Sequence, residues 1–107
     1  MTTFDKREEG FEKQFAHDEE LKFKATSRRN KLLGLWAAEK LSLSGEEANA
    51  YAKSVVIADF EESGDDDVVR KVRGDLEAKG VANAEPEIRR KMIELMATAV
   101  AQIKAGT

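Results

Sequence analysis

Apolar residues recur at helical spacing from Met1 to Leu43, and this long stripe limits the fold more than any other feature of the chain. At 3.6 residues per turn, Phe4, Phe11, Phe15, Leu21, Ala25, Leu32, Leu33, Trp36 and Leu43 fall within roughly one third of a helical wheel. The stripe changes in kind along its length. From Leu32 to Leu43 it is dense enough to seat a helix in a core. From Met1 to His17 it thins to Phe4, Phe11 and Phe15 among charges, with Gly10 between them.

Energetics separates the two halves. Burying a Phe side chain contributes about 1.5–3 kcal/mol, while ordering each backbone residue costs about 1–2 kcal/mol. Helices shorter than about 12–15 residues are marginal in water, and Gly10 removes about 1 kcal/mol relative to alanine. Residues 1–17 are therefore expected to be a flexible arm, helical only when a partner covers its Phe stripe. Residues 18–105 are expected to form a four-helix domain.

With 107 residues, 41% hydrophobic and 36% charged, the chain has material for one small domain with a modest core. Ala, Glu, Lys, Leu and Arg dominate, which favours helix over strand. The absence of cysteine rules out a disulfide framework and thiolate chemistry. No apolar run approaches the roughly 18 residues of a membrane span, and the acidic N-terminus lacks the apolar core of a signal peptide. A soluble, cytoplasmic protein is expected. A net charge of −3 argues against a general nucleic-acid or membrane-surface binder.

Four helices can be placed. The first ends near Leu41 and begins somewhere between Thr3 and His17. Ser44-Gly45-Glu46-Glu47 has the pattern of a capping box that starts the second. The apolar residues of that helix, Ala48 to Phe60, lie on more than one face, which predicts the most enclosed helix of the four. Asp65, Asp66 and Asp67 supply a cap and first-turn acids for a third, with Val68, Val69, Val72 and Leu76 as its inner face and Gly80 as its stop. Pro86 suits the first turn of a fourth, whose Ile88, Met92, Leu95, Met96, Ala99 and Ile103 define a single apolar face. Nothing alternates with period two long enough for a strand. The expected architecture is all-α, a small four-helix bundle with a flexible N-terminal arm.

Few residues carry chemistry. The basic run Lys22, Lys24, Arg28, Arg29 and Lys31 suggests a phosphate site, from a nucleotide or nucleic acid. No Gly-rich loop lies beside it, and Phe23 is its one interleaved aromatic, so the plainer reading is a solvated face paired with acids of the same chain. Asp59, Glu61, Glu62 and Asp65 to Asp67 do not have the ligand spacing of an EF-hand, and helix capping accounts for the aspartates. His17 is the single histidine and cannot form a His-based metal pair. Trp36 and Tyr51 read as core aromatics with polar tips at the surface, Met92 and Met96 as core filler. No nucleophile with a base, no carboxylate pair and no metal set can be named, so neither catalysis nor a cofactor is expected.

The opening MTTFDKREEGFEKQFAHDEELKFKATSRRNKLLGLWAAEKL, with AYAKSVVIADFEESGDDDVVRKVRGDL and RRKMIELMATAVAQI, resembles the zeta subunit of alphaproteobacterial ATP synthases over nearly the whole chain. The resemblance implies a four-helix protein that binds the catalytic head of the ATP synthase and inhibits ATP hydrolysis. It implies that an N-terminal segment, here Thr2 to about Glu19, enters an interface of the alpha and beta subunits near the gamma shaft and becomes helical there. Phe4, Phe11 and Phe15 would then fill apolar grooves, with Arg7, Glu12, Lys13 and Glu19 pairing across the rim. Association at the inner membrane through the bound enzyme, and weak adenine nucleotide binding by the bundle, belong to the same picture.

Overall fold

The computed structural model describes residues 19–60 and 64–106, and the arm with its three phenylalanines and His17 lies outside them. Four helices fill the described residues, with no strand among them: α1 (Glu19–Lys40), α2 (Gly45–Ala58), α3 (Asp66–Ala78) and α4 (Glu85–Lys104). The all-α bundle expected from the sequence is the fold.

α1 is the hub and packs on each of the other three helices. Its buried residues, Ala25, Arg29, Asn30, Leu33, Gly34, Ala37 and Ala38, wrap well over half the helix, a broader face than the sequence stripe defined. The stripe missed Gly34, Ala37 and Ala38. Gly34 lies so close to α2 that a Cβ added there would stand 2.5 Å from the Ala52 Cα. Glycine and alanine thus serve here as contact surface, letting two backbones approach. Leu32 and Trp36, inside the stripe, are only half-buried.

The core joins Leu33, Ala37, Leu41 and Val55 to the inner face of α3 and to Ile88 and Met92 of α4. All four α3 residues expected inside, Val68, Val69, Val72 and Leu76, are buried. β-branched valines cost α3 some helix propensity, which burial on one face outweighs.

α2 departs from expectation. It buries only Ala52, Val55 and Ala58, while Ile57 is 54% and Phe60 63% exposed, so α1 rather than α2 is the enclosed helix. Apolar residues on two faces of a helix predict burial only if both faces meet a neighbour, and Ile57 is left largely exposed while Phe60, just past the end of α2, stacks on Phe23.

Helix ends follow the sequence in position more than in chemistry. Ser44 and Asp65 occupy the N-cap positions, but neither side chain makes a capping hydrogen bond. The Asp side chains are spent on arginines instead, Asp65 on Arg29 and Asp66 on Arg89. α3 stops at Gly80 (φ +89°), with Gly80 N–H donating to Glu77 O at 2.9 Å and Val81 N–H to Leu76 O at 3.0 Å. That pair of bonds is a Schellman motif, in which glycine takes the left-handed position. α1 ends in the same way, with Leu43 N–H reaching Ala38 O at 2.8 Å, yet there the left-handed residue is Ser42 (φ +62°). No glycine marks that stop in the sequence, which is why only its approximate place was legible.

Candidate functional site

Helical geometry splits the basic run in two. Lys24, Arg28 and Lys31 recur at four- and three-residue spacing and share one face of α1. They line a groove of about 550 Å³ together with Leu21, Phe23, Ser27 and, from the facing helices, Val56 and Ile103. Phe23 stacks on Phe60 of the α2 end, with ring centroids 5.9 Å apart. Arg28 Nη1 donates to Gln102 Oε1 at 2.7 Å, and Lys24 pairs with Glu20 at 3.2 Å. Bases, an aromatic face and apolar walls therefore meet in one place. Lys22 is exposed and does not line the groove.

Arg29 is turned the opposite way, into the protein, where it is 4% exposed. Its guanidinium donates to Asn30 Oδ1 at 2.8 Å and to Asp65 Oδ1 at 2.9 Å. Arg29 therefore fixes the start of α3 against α1, and the structure does not bring it together with Lys24 and Arg28. Asp59 lies near the same group. Burial pushes its carboxyl above the usual carboxylate range, opposed by Asn30 and Arg29 and reinforced by Asp67 and Asp65. The buried Asn30 Nδ2 faces Asp59 without a hydrogen bond of good geometry. Among the described residues no group of three His, Cys, Asp or Glu is placed to hold a metal ion.

Tyr51 and Trp36 are half-buried against the core. Tyr51 Oη donates to Asp75 Oδ2 at 2.8 Å, and Lys71 Nζ sits 5.2 Å from the Tyr51 ring centroid. Burial, the Asp75 hydrogen bond and the Asp75 charge all raise the Tyr51 pKa, so the phenol stays protonated throughout the working range. Lys40 stands over Trp36 at 5.1 Å and bonds Glu87 of α4 at 3.3 Å.

A second groove, of about 920 Å³, runs along the outer face of α4. The sequence reading assigned that helix one apolar face, but Ile93, Ala97, Val100 and Ala101 make another, roughly a third of a turn away. Ile93 is 75% exposed. Met96, read as core filler, lies half-buried at the junction of the two faces. Counting apolar residues on the wheel beyond the first face would have found this surface.

Of the other sequence-predicted residues, Glu19 opens α1, while Phe4, Arg7, Phe11, Glu12, Lys13 and Phe15 lie outside the described residues. What is described is a small helical protein whose surface carries two grooves. No helix among the described residues is long and apolar enough to cross a membrane.

Comparison with known proteins gives this class a family. The family model of the ATPase inhibitor subunit zeta matches residues 1–102, and the chain belongs to that family. A protein solved by solution NMR is 56% identical, with a TM-score of 0.72 over 81% of this chain and 99% of its own. No curated protein matches. Membership supports an inhibitory, regulatory role toward an ATPase.

Proposed function

We propose that this protein binds the catalytic head of the ATP synthase and blocks ATP hydrolysis through its N-terminal segment. The observation that carries the reading is the family match, which begins at residue 1 and so includes the Phe-bearing segment. Residues 1–17 act as the inhibitory arm and residues 18–105 as the body. The arm folds on binding between alpha and beta subunits beside gamma, with Phe4, Phe11 and Phe15 as apolar anchors. Arg7, Glu12, Lys13 and Glu19 contribute to the charged rim. Folding on binding costs several kcal/mol of the gross interaction, roughly 2–5, so affinity depends on few anchors. The segment works as a wedge that stops a conformational cycle and needs no chemistry of its own. Its place is the cytoplasm, at the inner membrane when the enzyme holds it.

The test is ATP hydrolysis by the cognate enzyme with the full-length protein and with residues 2–17 deleted. Deletion is expected to abolish inhibition while shifting the body's unfolding free energy by less than about 1 kcal/mol. Undiminished inhibition by the shortened protein would rule out the arm. Alanine at Phe11 and Phe15 together is expected to weaken inhibition by about 3–5 kcal/mol at most, chiefly through faster dissociation.

The convergence of Lys24, Arg28 and Lys31 beside Phe23 favours a second reading, weak binding of a nucleotide in the smaller groove. Titration with ATP is then expected to move the amide resonances of residues 23–31 with an affinity that falls with salt. Resonances that stay in place would dispose of it.

A further inference from the structure

We propose that the smaller groove and the apolar ridge beside it form a second docking surface, which seats an acidic amphipathic helix of the enzyme. The proposal rests on the inhibitory reading above for the identity of the partner; the chemistry of the surface is read from the body alone.

Topology brings the surface together. α2 runs antiparallel to α1, since Gly34 meets Ala52 at mid-helix and Phe23 stacks on Phe60 near the end. α4 is antiparallel to α1 as well, with Arg28 bonded to Gln102 at one end and Lys40 to Glu87 at the other. The start of α1 and the ends of α2 and α4 therefore share one end of the bundle. α1 floors the groove there, and Val56 of α2 and Ile103 of α4 wall it. Lys53, Val56 and Ile57 recur at three- and four-residue spacing on one face of α2, and Phe60 follows just past its end. Phe23, Ile57 and Phe60 are each more than half exposed, so an apolar ridge stands open on the α2 side of the groove.

Charge selects the occupant. Residues 21–38, 48–58 and 95–107 contain no Asp or Glu, in a chain that has 21 of them and a net charge of −3. These acid-free stretches belong to α1, α2 and α4, the helices that bound the groove. Lys24 is shared with Glu20 and Arg28 with Gln102. Lys31 and Lys53 are exposed and make no ion pair among the described residues. The aspartates at this end, Asp59 and Asp65, face Arg29, which is turned away from the groove.

Shape narrows the choice further. From Leu21 to Lys31 the floor is about 15 Å long at 1.5 Å per residue, three turns of a seated helix. A nucleic-acid backbone would satisfy the lysines and leave Val56 and Ile57 uncovered. A flat membrane surface reaches the ridge but not the floor of a trough between two helices. A helix with an apolar stripe flanked by acids covers both. Phe23 lies about one turn beyond Glu19, where the inhibitory segment joins the body, so an enzyme that holds the segment brings its rim against this face. The nucleotide of the second reading uses the same bases and competes with the helix.

The test uses the full-length protein and the purified cognate enzyme, with onset and release of inhibition as readouts. Lys31→Glu with Lys53→Glu is expected to slow onset about tenfold at low salt, with the difference fading at high salt. Ile57→Ser with Phe60→Ser is expected to speed release about tenfold at either salt. An unchanged thermal midpoint checks that each variant keeps its fold. Rates equal to the parent's in both variants overturn the surface and leave the inhibitory segment standing. A parent that neither binds nor inhibits defeats the inhibitory reading instead, and overturns the partner with it. The chain has no cysteine, so a benzophenone on Ser27→Cys marks the groove alone. Photocapture of an acid-rich helical peptide of the enzyme is the expected result. Capture of a basic peptide, of phospholipid when the enzyme is membrane-bound, or of no peptide at all overturns the proposal.

Discussion

The contact between α1 and α2 and the outer face of α4 use the same small residues to opposite ends. At the first, Gly34, Ala37, Ala38 and Ala52 are sealed, and the backbones meet with no room for a methyl group at Gly34. At the second, Ala97 and Ala101 lie open in line with Ile93. Burial is thus a property of the pair of surfaces and not of the residue. The sealed face has its neighbour within the described fold, and the open one has the shape of a helix bed with its occupant unstated.

Paired substitutions can break this contrast. Gly34→Val should destabilise the domain by about 3 kcal/mol through overpacking against Ala52, read as the midpoint of urea unfolding. Ala97→Leu, which likewise adds three carbons but on the open face, should stay within about 0.5 kcal/mol. Equal costs would mean that the α4 face is filled in the free protein by something rigid.

Arg29→Ala should cost about 2 kcal/mol, less than a fully buried pair because Asp65 is half-exposed. Its exposed counterpart Lys24→Ala should cost less than about 0.5 kcal/mol.

Asp59 sharpens the picture by pH. Its folded pKa is raised, so the folded state holds a proton that the unfolded chain has already released. Its contribution therefore favours folding at acid pH and fades as pH rises from the ordinary carboxylate pKa through the raised one. Asp59→Asn should gain stability relative to the parent at neutral pH, with the difference shrinking on acidification. A gap constant with pH would remove the burial argument.

The smallest effect is at Ser42. Its φ of +62° costs a non-glycine residue energy, and Ser42→Gly should raise stability by about 0.5 kcal/mol in thermal unfolding.

The fold was legible where one physical rule dominates. Val68, Val69, Val72 and Leu76 share one face, so period alone places them, and Gly80 and Pro86 mark boundaries because a left-handed stop favours glycine and a first helical turn favours proline. Capping was less legible. Asp65 and Asp66 fit an N-cap pattern, but Arg29 and Arg89 arrive from residues 36 and 23 positions away and take their carboxylates. Such tertiary competition is not visible in a local window. The basic run failed for a related reason. Lys24 and Arg28 share a face while Arg29 does not, and a cluster in sequence is a cluster in space only after the helix has turned.

The position of α1 has a mechanical consequence. It continues directly from the N-terminal segment and touches every other helix, so a pull at Glu19 travels along its axis and is resisted by three contacts sliding at once. A tether attached to a peripheral helix would peel away one contact after another. A pull on the N-terminal segment is thus shared by the whole body.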